Sequence, residues 1–490
     1  MLLAIIPIIP LLAGLACLAT RSRAAWERLN LAAFVAVAVL ALKLARAIVL
    51  EGPVTALDGF LRADAFSALM IGLTAFVALV SGVYAVGYFR RDQSDGRVSK
   101  GQLRRYYTLT PLFVATMLFV PLADSLGVMW VAIEGATLAS VLLVTFYNQK
   151  TSFEAGWKYI IIGSIGISLA LFGTIITYSA AIGVPGMVEH HGMNWSALVA
   201  VADRLDKTAM RLAFVLILIG YGTKAGLAPM HTWKPDAYEQ APAPAAALLG
   251  AGFINSAIYG IARFSVLAEK CLGHEFPGQL LMGFGVASIL VAAPFIITQR
   301  NFRRILAYSS IDHAGIMIAA LGFGGKLGAL GMMLHMTFHA VTKPLMFFGA
   351  GSVQQQFGTP YFRNVRGAIH VLPWTGGLFL MASLAVTGTP PFGVFQSEFT
   401  ILSAGLTQGH AWAAALFIGG VATIFAGFLA RMSRLILGAA GDPPGRAHEC
   451  PWKLGAMVLV GACVAILGFW LPLPIYTLIQ QAAHIIEGTP

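Results

Sequence analysis

Four charged side chains lie in the middle of apolar segments that are long enough to cross a lipid bilayer. They are Glu134, Lys224, Lys343 and Glu398. A charge at the centre of a membrane helix costs about 2.5–3.5 kcal/mol on insertion scales, so it is retained where it faces water, another charge or an ion path. The sequence therefore predicts that charge moves through the membrane along these side chains.

Histidines add proton-exchanging groups to this pattern. His335, His339 and Lys343 are spaced four residues apart, which places them on one face of a helix over roughly 12 Å. Imidazoles beside an amine suit stepwise proton transfer through bridging waters. His313, in the preceding apolar segment, is a candidate to extend the line. The neighbouring Asp312 is ranked below it because the sequence does not fix its orientation.

Each of these residues also has a plainer interpretation. Glu134 is alternatively a buried acid kept neutral by its apolar surroundings, and Lys224 a lysine that reaches the surface from a helix end. The two histidines of the stripe are alternatively core side chains bonded to neighbouring helices. Zinc is weakly indicated, because no third ligand is visible and Met336 stands where a metalloprotease helix has its catalytic glutamate. Lys158 is interpreted as interfacial.

The composition identifies the class of protein that must position these groups. The chain has 490 residues, of which 58% are hydrophobic and 11% charged, and its mean hydropathy is +0.78. Soluble domains carry about 25% charged residues. The net charge of +11 is concentrated in loops and comes without a nucleic-acid recognition motif, so no nucleic-acid partner is predicted.

Apolar runs predict an all-α polytopic membrane protein with 14 transmembrane helices. The first run is followed, not preceded, by arginines, so it is expected to be a transmembrane helix rather than a cleaved signal peptide. The predicted spans are 2–20, 29–50, 66–88, 107–123, 125–146, 157–182, 210–228, 240–266, 278–298, 304–322, 327–352, 370–405, 411–436 and 455–478.

Two of these stretches are predicted to be broken. Pro229 follows Gly226 at the end of one run, and Pro390 and Pro391 follow Gly388 within another. Glycine and proline at membrane depth free backbone groups that need water or neighbouring side chains. Discontinuous helices of this kind commonly line transport sites.

Loop charges predict the orientation of the chain. Every strongly basic loop follows an odd-numbered helix, whereas the loop after the second helix holds Glu51, Asp58 and Asp64 against Arg62. The positive-inside rule then places both termini outside the cytoplasm. The loop at 183–209 is expected to hold a short surface helix. The basic loop residues are Arg21, Arg23, Arg28, Arg90, Arg91, Arg97, Lys100, Arg104, Arg105, Arg300, Arg303, Arg304, Arg363, Arg366, Arg431, Arg434, Arg446 and Lys453.

The sequence carries no motif for a catalytic, cofactor-binding or metal site of its own. Its four cysteines form no C-x-x-C pair, and it has no dinucleotide fingerprint, P-loop or nucleophile elbow. If redox energy drives the chain, the redox centres are expected on a partner subunit.

Five motifs resemble one family. The chain resembles the antiporter-like proton-translocating membrane subunits of complex I, Mrp antiporters and group-4 membrane hydrogenases, most of all the F-type subunit of hydrogenase-4. The matching stretches, within residues 106–437, are Ile133-Glu-Gly135, Gly222-Thr-Lys-Ala-Gly-Leu-Ala-Pro-Met-His-Thr-Trp233, Tyr308-Ser-Ser-Ile-Asp-His-Ala-Gly315, His339-Ala-Val-Thr-Lys-Pro-Leu-Met346 and Gly388-Thr-Pro-Pro-Phe-Gly393.

The resemblance implies two inverted five-helix repeats, at 106–269 and 270–437, flanked by segments 1–105 and 438–490. It further implies that Glu134 and Lys224 form the acid–lysine pair of the first half-channel. Lys343 and its histidines would form the central relay, and Glu398 the exit group. One departure is that the eighth helix offers only Asn255 and Ser256 where many relatives have a lysine or histidine.

The resemblance also implies a place in a larger assembly. The expected function is proton translocation within a redox-driven complex of the prokaryotic cytoplasmic membrane, beside other membrane subunits and a peripheral redox arm with iron–sulfur and nickel–iron centres. One alternative is a sodium/proton antiporter module, against which the scarcity of further intramembrane carboxylates argues. Another is an ion-translocating subunit of a non-redox uptake complex.

Overall fold

The computed structural model describes residues 1–185, 192–439 and 449–488. Within them the chain is almost entirely helical, with one small two-stranded sheet. Eleven helical segments in these ranges are long and apolar enough to cross a membrane. The predicted class, an all-α polytopic membrane protein, is confirmed.

The helices up to residue 272 carry the first predicted break. α8 ends at Ala225, and the chain turns before α9 begins at Trp233. The elements are α1 (Leu2–Ala19), α2 (Arg23–Glu51), β1 (Val54–Ala56), β2 (Leu61–Ala63), α3 (Ala65–Ser94), α4 (Lys100–Phe119), α5 (Leu126–Val144), α6 (Lys150–Ala181), α7 (Trp195–Ala200), α8 (Lys207–Ala225), α9 (Trp233–Gln240), α10 (Ala243–Ala247), a π-helical turn (Leu248–Phe253) and α11 (Ile254–Leu272).

The remaining helices carry the second break. α16 ends at Val386 and α17 begins at Gly393, so both interruptions occur where the sequence predicts them. The elements are α12 (Glu275–Thr298), α13 (Phe302–Phe323), α14 (Gly325–Phe357), α15 (Ala368–Val371), α16 (Pro373–Val386), α17 (Gly393–Thr407), α18 (Ala411–Leu437), α19 (Pro451–Phe469) and α20 (Leu473–Ile486).

Three local features differ from the sequence-based expectation. The predicted final span is two helices, because the chain leaves the helical conformation at Trp470. The loop after α2 forms an antiparallel hairpin in which Val54 pairs with Ala63. The short helix expected at 183–209 is present as α7, but Trp195 at its start is buried against the guanidinium of Arg263 on α11, 4.2 Å from the ring centroid. Residues 186–191, and Arg446 among the basic loop residues, lie outside the described ranges.

Three segments form the interior of the protein. The apolar windows of α10–α11 and of α13 are 100% buried, whereas those of α1, α2, α6, α18 and α19 leave more than half of their residues partly or fully exposed. α14 is the longest helix among the described residues and packs against α13, α16, α17 and α19. All of α13 except Arg304, and α14 from Gly331 to Val353, are therefore buried within the protein.

Glycines permit the closest helix contacts. A Cβ added at Gly315 of α13 would lie 2.6 Å from the carbonyl oxygen of Gly285 on α12, and a Cβ at Gly322 would be closer still to the α12 backbone at Met282. A Cβ at Gly220 of α8 would lie 2.5 Å from the backbone nitrogen of Ala170 on α6. Small residues bring membrane helices into van der Waals contact in this way.

Gly220→Ala is expected to destabilise the protein, because the new methyl group would meet backbone atoms of α6 that cannot rotate away. Overpacking of this kind costs about 1–3 kcal/mol. The measurement is the melting temperature of the detergent-purified protein, followed by tryptophan fluorescence. Gly283→Ala on α12 is the control, because no atom lies within 4 Å of its added Cβ. Equal melting temperatures for the two variants would contradict the contact.

Candidate proton-transfer site

The predicted acid–lysine pair is formed between α5 and the last turn of α8. Nζ of Lys224 donates to Oε2 of Glu134 at 3.0 Å and to Oγ1 of Thr137 at 2.7 Å. The Lys224 side chain is fully buried, whereas Glu134 keeps 21% of its surface exposed. Gly163 of α6 lies against the amine, since a Cβ there would be 3.1 Å from Nζ. Lys224 therefore points inward and does not extend to the surface.

The first break exposes backbone polar groups beside this pair. Gly226 adopts φ 74° and ends α8, and the following residues turn through Pro229. The last carbonyls of a helix have no partner within the helix. Here Nε1 of Trp233 donates to the carbonyl of Thr223 at 2.9 Å, and Nζ of Lys234 donates to that of Ala225 at 2.6 Å.

Lys234 is a buried charge that the sequence motifs did not reveal. Its side chain is fully enclosed, and its Nζ also donates to the carbonyl of Ser310 on α13 at 3.2 Å. The stretch from Met230 to Gln240 mixes polar and apolar residues and has the composition of a loop. The available signal was a lysine next to Trp233, directly after a break at membrane depth.

The third lysine lies on α14. Nζ of Lys343 donates to Oγ of Ser309 at 2.9 Å and to the carbonyl of Leu306 at 3.3 Å, both on α13. Oγ of Ser310 donates to the same Leu306 carbonyl at 3.1 Å. Lys234 and Lys343 are therefore held by groups within a single turn of α13.

The predicted histidines converge beside the two turns of α14 that precede Lys343. Nδ1 of His313 lies 2.9 Å from Nε2 of His335, and Nδ1 of His335 lies 2.9 Å from Oγ of Ser397 on α17. The ring of His339 lies 4.9 Å from that of His313, between centroids. Both nitrogens of His339 are buried without a hydrogen-bond partner among the described residues. The alternative of histidines satisfied by neighbouring helices thus applies to His335 and not to His339.

Glu398 ends this line of groups. One of its carboxylate oxygens lies within 4.8 Å of ring nitrogens of His313 and His335. Gly388, in the second break, faces the carboxylate so closely that a Cβ would collide with Oε2. Glu398 borders a cavity of about 210 Å³ between α17 and α18. The cavity is lined by Thr387, Gly388, Phe395, Glu398, Phe399, Leu402, Ile418, Val421, Ala422 and Phe425.

Asp312 points inward as well. Its carboxyl group is buried, and Oδ1 has no hydrogen-bond partner among the described residues. It interacts electrostatically with Lys343 and with Glu398. The structure thus supplies the orientation that the sequence could not, and Asp312 lies near Lys343 and Glu398.

The eighth predicted helix contains no lysine or histidine in its interior, and its backbone is irregular there. The π-helical turn at Leu248–Phe253 is separated from Asn255 and Ser256 by Ile254 alone. Nδ2 of Asn255 donates to the carbonyl of Ala251 at 3.0 Å, while its Oδ1 and Oγ of Ser256 have no partner in the described part of the chain. π-helical turns frequently occur at functional sites.

His313, His335 and Glu398 are close enough to share a cation. However, the two ring nitrogens at 2.9 Å are at hydrogen-bonding distance, so one of them carries the hydrogen between them. A metal ion would need both lone pairs free. The arrangement therefore favours proton sharing over metal binding, and the sequence-based prediction of no metal site stays a prediction.

Known proteins resemble this chain in sequence. The family model described as "NADH:quinone oxidoreductase/Mrp antiporter, TM" matches residues 123–426. The "Hydrogenase-4 component F homolog" of Methylacidiphilum infernorum is 36% identical over 387 residues, which is 79% of this chain and 80% of that protein. A Na(+)/H(+) antiporter subunit of Alkalihalophilus pseudofirmus is 26% identical, covering 88% of this chain and 84% of that protein.

Solved structures share the fold over the whole chain. A chain of the membrane-bound sulfane sulfur reductase, described as an archaeal respiratory membrane complex, superposes with a TM-score of 0.85 at 23% identity, covering 99% of this chain and 97% of that one. A chain of the Mrp complex from Dietzia sp. DQ12-45-1b gives 0.85 at 20% identity, with the same coverage. The family match over residues 123–426 and the 36% identical relative show that the chain belongs to the NADH:quinone oxidoreductase/Mrp antiporter transmembrane family, as its motifs predict.

Proposed function

We propose that this chain is the proton-translocating membrane subunit of a multisubunit, redox-driven complex of the energy-converting hydrogenase or complex I type. The observation that carries the proposal is the succession of ionisable side chains from Glu134 on α5 to Glu398 on α17, which are partly exposed at these two ends and buried between them. Such residues are costly inside a membrane and mark proton relays and ion paths.

The Glu134–Lys224 contact is the proposed control point. When the carboxylate pairs with the ammonium at 3.0 Å, it stabilises the charged form, so Lys224 retains its proton. When the carboxylate moves away, the fully enclosed amine is no longer compensated and releases the proton. The partial exposure of Glu134 gives its side chain room for that movement.

The second part of the proposed path runs from Lys343 to Glu398. Lys343 passes a proton to His339, one helical turn away, and the His313–His335 hydrogen bond carries it towards α17. A neutral imidazole can accept a proton on one nitrogen and release one from the other. Glu398 receives the proton beside the cavity between α17 and α18. Asp312 stabilises the positive charge during the transfer.

The proposal includes a transmembrane topology. Together with α4, α14 and the broken pair α16–α17, the eleven apolar segments would make fourteen crossings. Two inverted repeats at 106–269 and 270–437, flanked by 1–105 and 438–490, are supported by one break and at least one buried lysine in each. We place both termini outside the cytoplasm of a prokaryotic cell, on the positive-inside argument.

The proposed partners are further membrane subunits and a peripheral redox arm. Iron–sulfur and nickel–iron centres would reside on that arm. Support comes from the hydrogenase-4 component among the relatives and from the respiratory complex among the structural neighbours. Mass spectrometry of the complex purified in mild detergent identifies these subunits and the electron donor. Recovery of partners without any redox centre would favour the non-redox uptake complex.

A sodium/proton antiporter module is the second candidate, because an antiporter subunit is among the relatives. Sodium prefers a shell of oxygen ligands. Glu134, however, faces the ammonium of Lys224, and Glu398 lies beside two imidazoles. These surroundings favour a proton over a sodium ion.

Glu134→Gln and Lys224→Ala are each expected to lower redox-driven proton uptake at least tenfold while the complex still assembles, because each removes one partner of the control point. Uptake is measured with a pH-sensitive dye in vesicles that contain the purified complex. Lys326→Ala is the matched control, because Lys326 is an exposed lysine at the start of α14. Normal uptake by both pair variants would refute the scheme.

Gly388→Ala is expected to reduce uptake severalfold, because the added methyl group displaces the Glu398 carboxylate. Gly409→Ala is the control: both glycines have positive φ, 69° and 80°, and thus share the backbone strain of about 1–2 kcal/mol, but no atom lies within 4 Å of a Cβ added at Gly409. Comparable losses in the two variants would attribute the effect to strain alone.

Proton uptake is expected to continue at an unchanged rate in sodium-free medium, because neither Glu134 nor Glu398 is surrounded by the oxygen ligands that sodium prefers. The measurement is the initial uptake rate with choline in place of sodium, together with ²²Na⁺ flux. A strict sodium requirement, with sodium moving against the proton, would establish the antiporter candidate instead.

A further inference from the structure

Lys234 is a buried amine between the two halves of the chain that the proposed path does not use. Its Nζ donates to the carbonyl of Ala225 at 2.6 Å and to that of Ser310 at 3.2 Å. The ring of Tyr238 lies 5.7 Å from it. The side chain runs over Gly226, where a Cβ would lie 2.6 Å from Cδ of Lys234. The first break therefore supplies both an acceptor for this amine and the space for its side chain.

The position of Lys234 links the two lysines already described. Ala225, whose carbonyl it binds, directly follows Lys224 in the sequence. On the other side, Ser310 donates to the carbonyl of Leu306 at 3.1 Å, and Lys343 donates to that same carbonyl at 3.3 Å. Residues 306 and 310 are one helical turn apart, a rise of about 5.4–6 Å. The amines of Lys234 and Lys343 are thus neighbours along one turn of α13.

Lys234 has no carboxylate partner within the described residues. Asp236, two positions away, is engaged by Arg304 at 2.6 Å and by Lys158 at 2.9 Å. The titratable groups that interact electrostatically with Lys234 are His231 in the turn and His339 and Lys343 on α14. An enclosed charge without a counter-ion is costly. Its neighbours therefore do not hold Lys234 permanently in the charged form.

We propose that Lys234 is a proton-binding station that joins the first half-channel to the second, in place of the lysine or histidine that the interior of the eighth predicted helix lacks. The inference rests on the proposed function and deepens it. The ammonium of Lys234 gives its proton to the neutral amine of Lys343, directly or through one hydrogen-bonded water. Neutral Lys234 then accepts a proton from the ammonium of Lys224 when Glu134 withdraws. One proton is transferred in each step.

The opposing possibility is a fixed cation that caps the end of α8. A permanent ammonium on the Ala225 carbonyl would stabilise the break without exchanging protons. The two roles differ in which residues can replace Lys234 without loss of function. A cap needs a charge and hydrogen-bond donors, which arginine supplies, whereas a station must also release its proton, which arginine does not do.

The test compares Lys234→Met, Lys234→Arg and Lys234→His in the purified complex, reconstituted in vesicles and assayed for redox-driven proton uptake between pH 5.5 and 9. The methionine and arginine variants are expected to lose uptake at least tenfold in assembled complexes. The histidine variant is expected to retain part of it, with an optimum at lower pH, because imidazole loses its proton at lower pH than an amine. Lys326→Met serves as the control.

The outcomes separate the two proposals. Normal uptake by Lys234→Arg, or failure of all three variants to assemble, would make Lys234 a structural cap and overturn the inference. Normal uptake by Lys234→Met alongside loss in Lys224→Ala would overturn the inference and leave the proposed function standing. Normal uptake in Lys224→Ala as well as in the Lys234 variants would overturn both.

Discussion

A charge enclosed in a membrane protein must find its compensation within the protein, and this constraint organises the structure. The amine of Lys224 donates hydrogen bonds to a carboxylate and a hydroxyl. The amine of Lys343 donates to a hydroxyl and a carbonyl, and the amine of Lys234 donates to two carbonyls. Only the first of these sets includes an opposite charge. The three amines therefore differ in how firmly their surroundings hold a proton, and a difference of this kind gives a relay its direction.

The two broken helices are subject to the same constraint, because each break leaves backbone polar groups that need partners within the protein. At the first break, carbonyls left over by α8 accept hydrogen bonds from Trp233 and Lys234. At the second, Gly388 leaves room for the Glu398 carboxylate. Each break thus makes room for an ionisable side chain. A continuous helix would fill the same space with its own side chains. The interruptions and the charges form one feature of the fold.

Much of this arrangement could be predicted from the sequence, because its signals are local. A lysine or glutamate in an apolar run, two histidines spaced along a helix, and proline after glycine at membrane depth all occur within a few residues. The Glu134–Lys224 and His313–His335 contacts followed once the fold brought those segments together. What could not be predicted depends on contacts between distant segments. Lys234 lies in a stretch with loop-like composition, and it is enclosed by the packing of α9 against α13 and against the end of α8. The direction of the Asp312 carboxyl depends on the rotation of α13.

The glycine contacts between α12 and α13 restrict how the relay is switched. α13 carries Ser309, Ser310, Asp312 and His313, and its backbone touches that of α12 at Gly315 and Gly322 with no side chain between them. A helix held so closely cannot slide or tilt without backbone collisions. The relay would therefore be switched by rotamer changes and water rearrangement around a stationary α13 backbone.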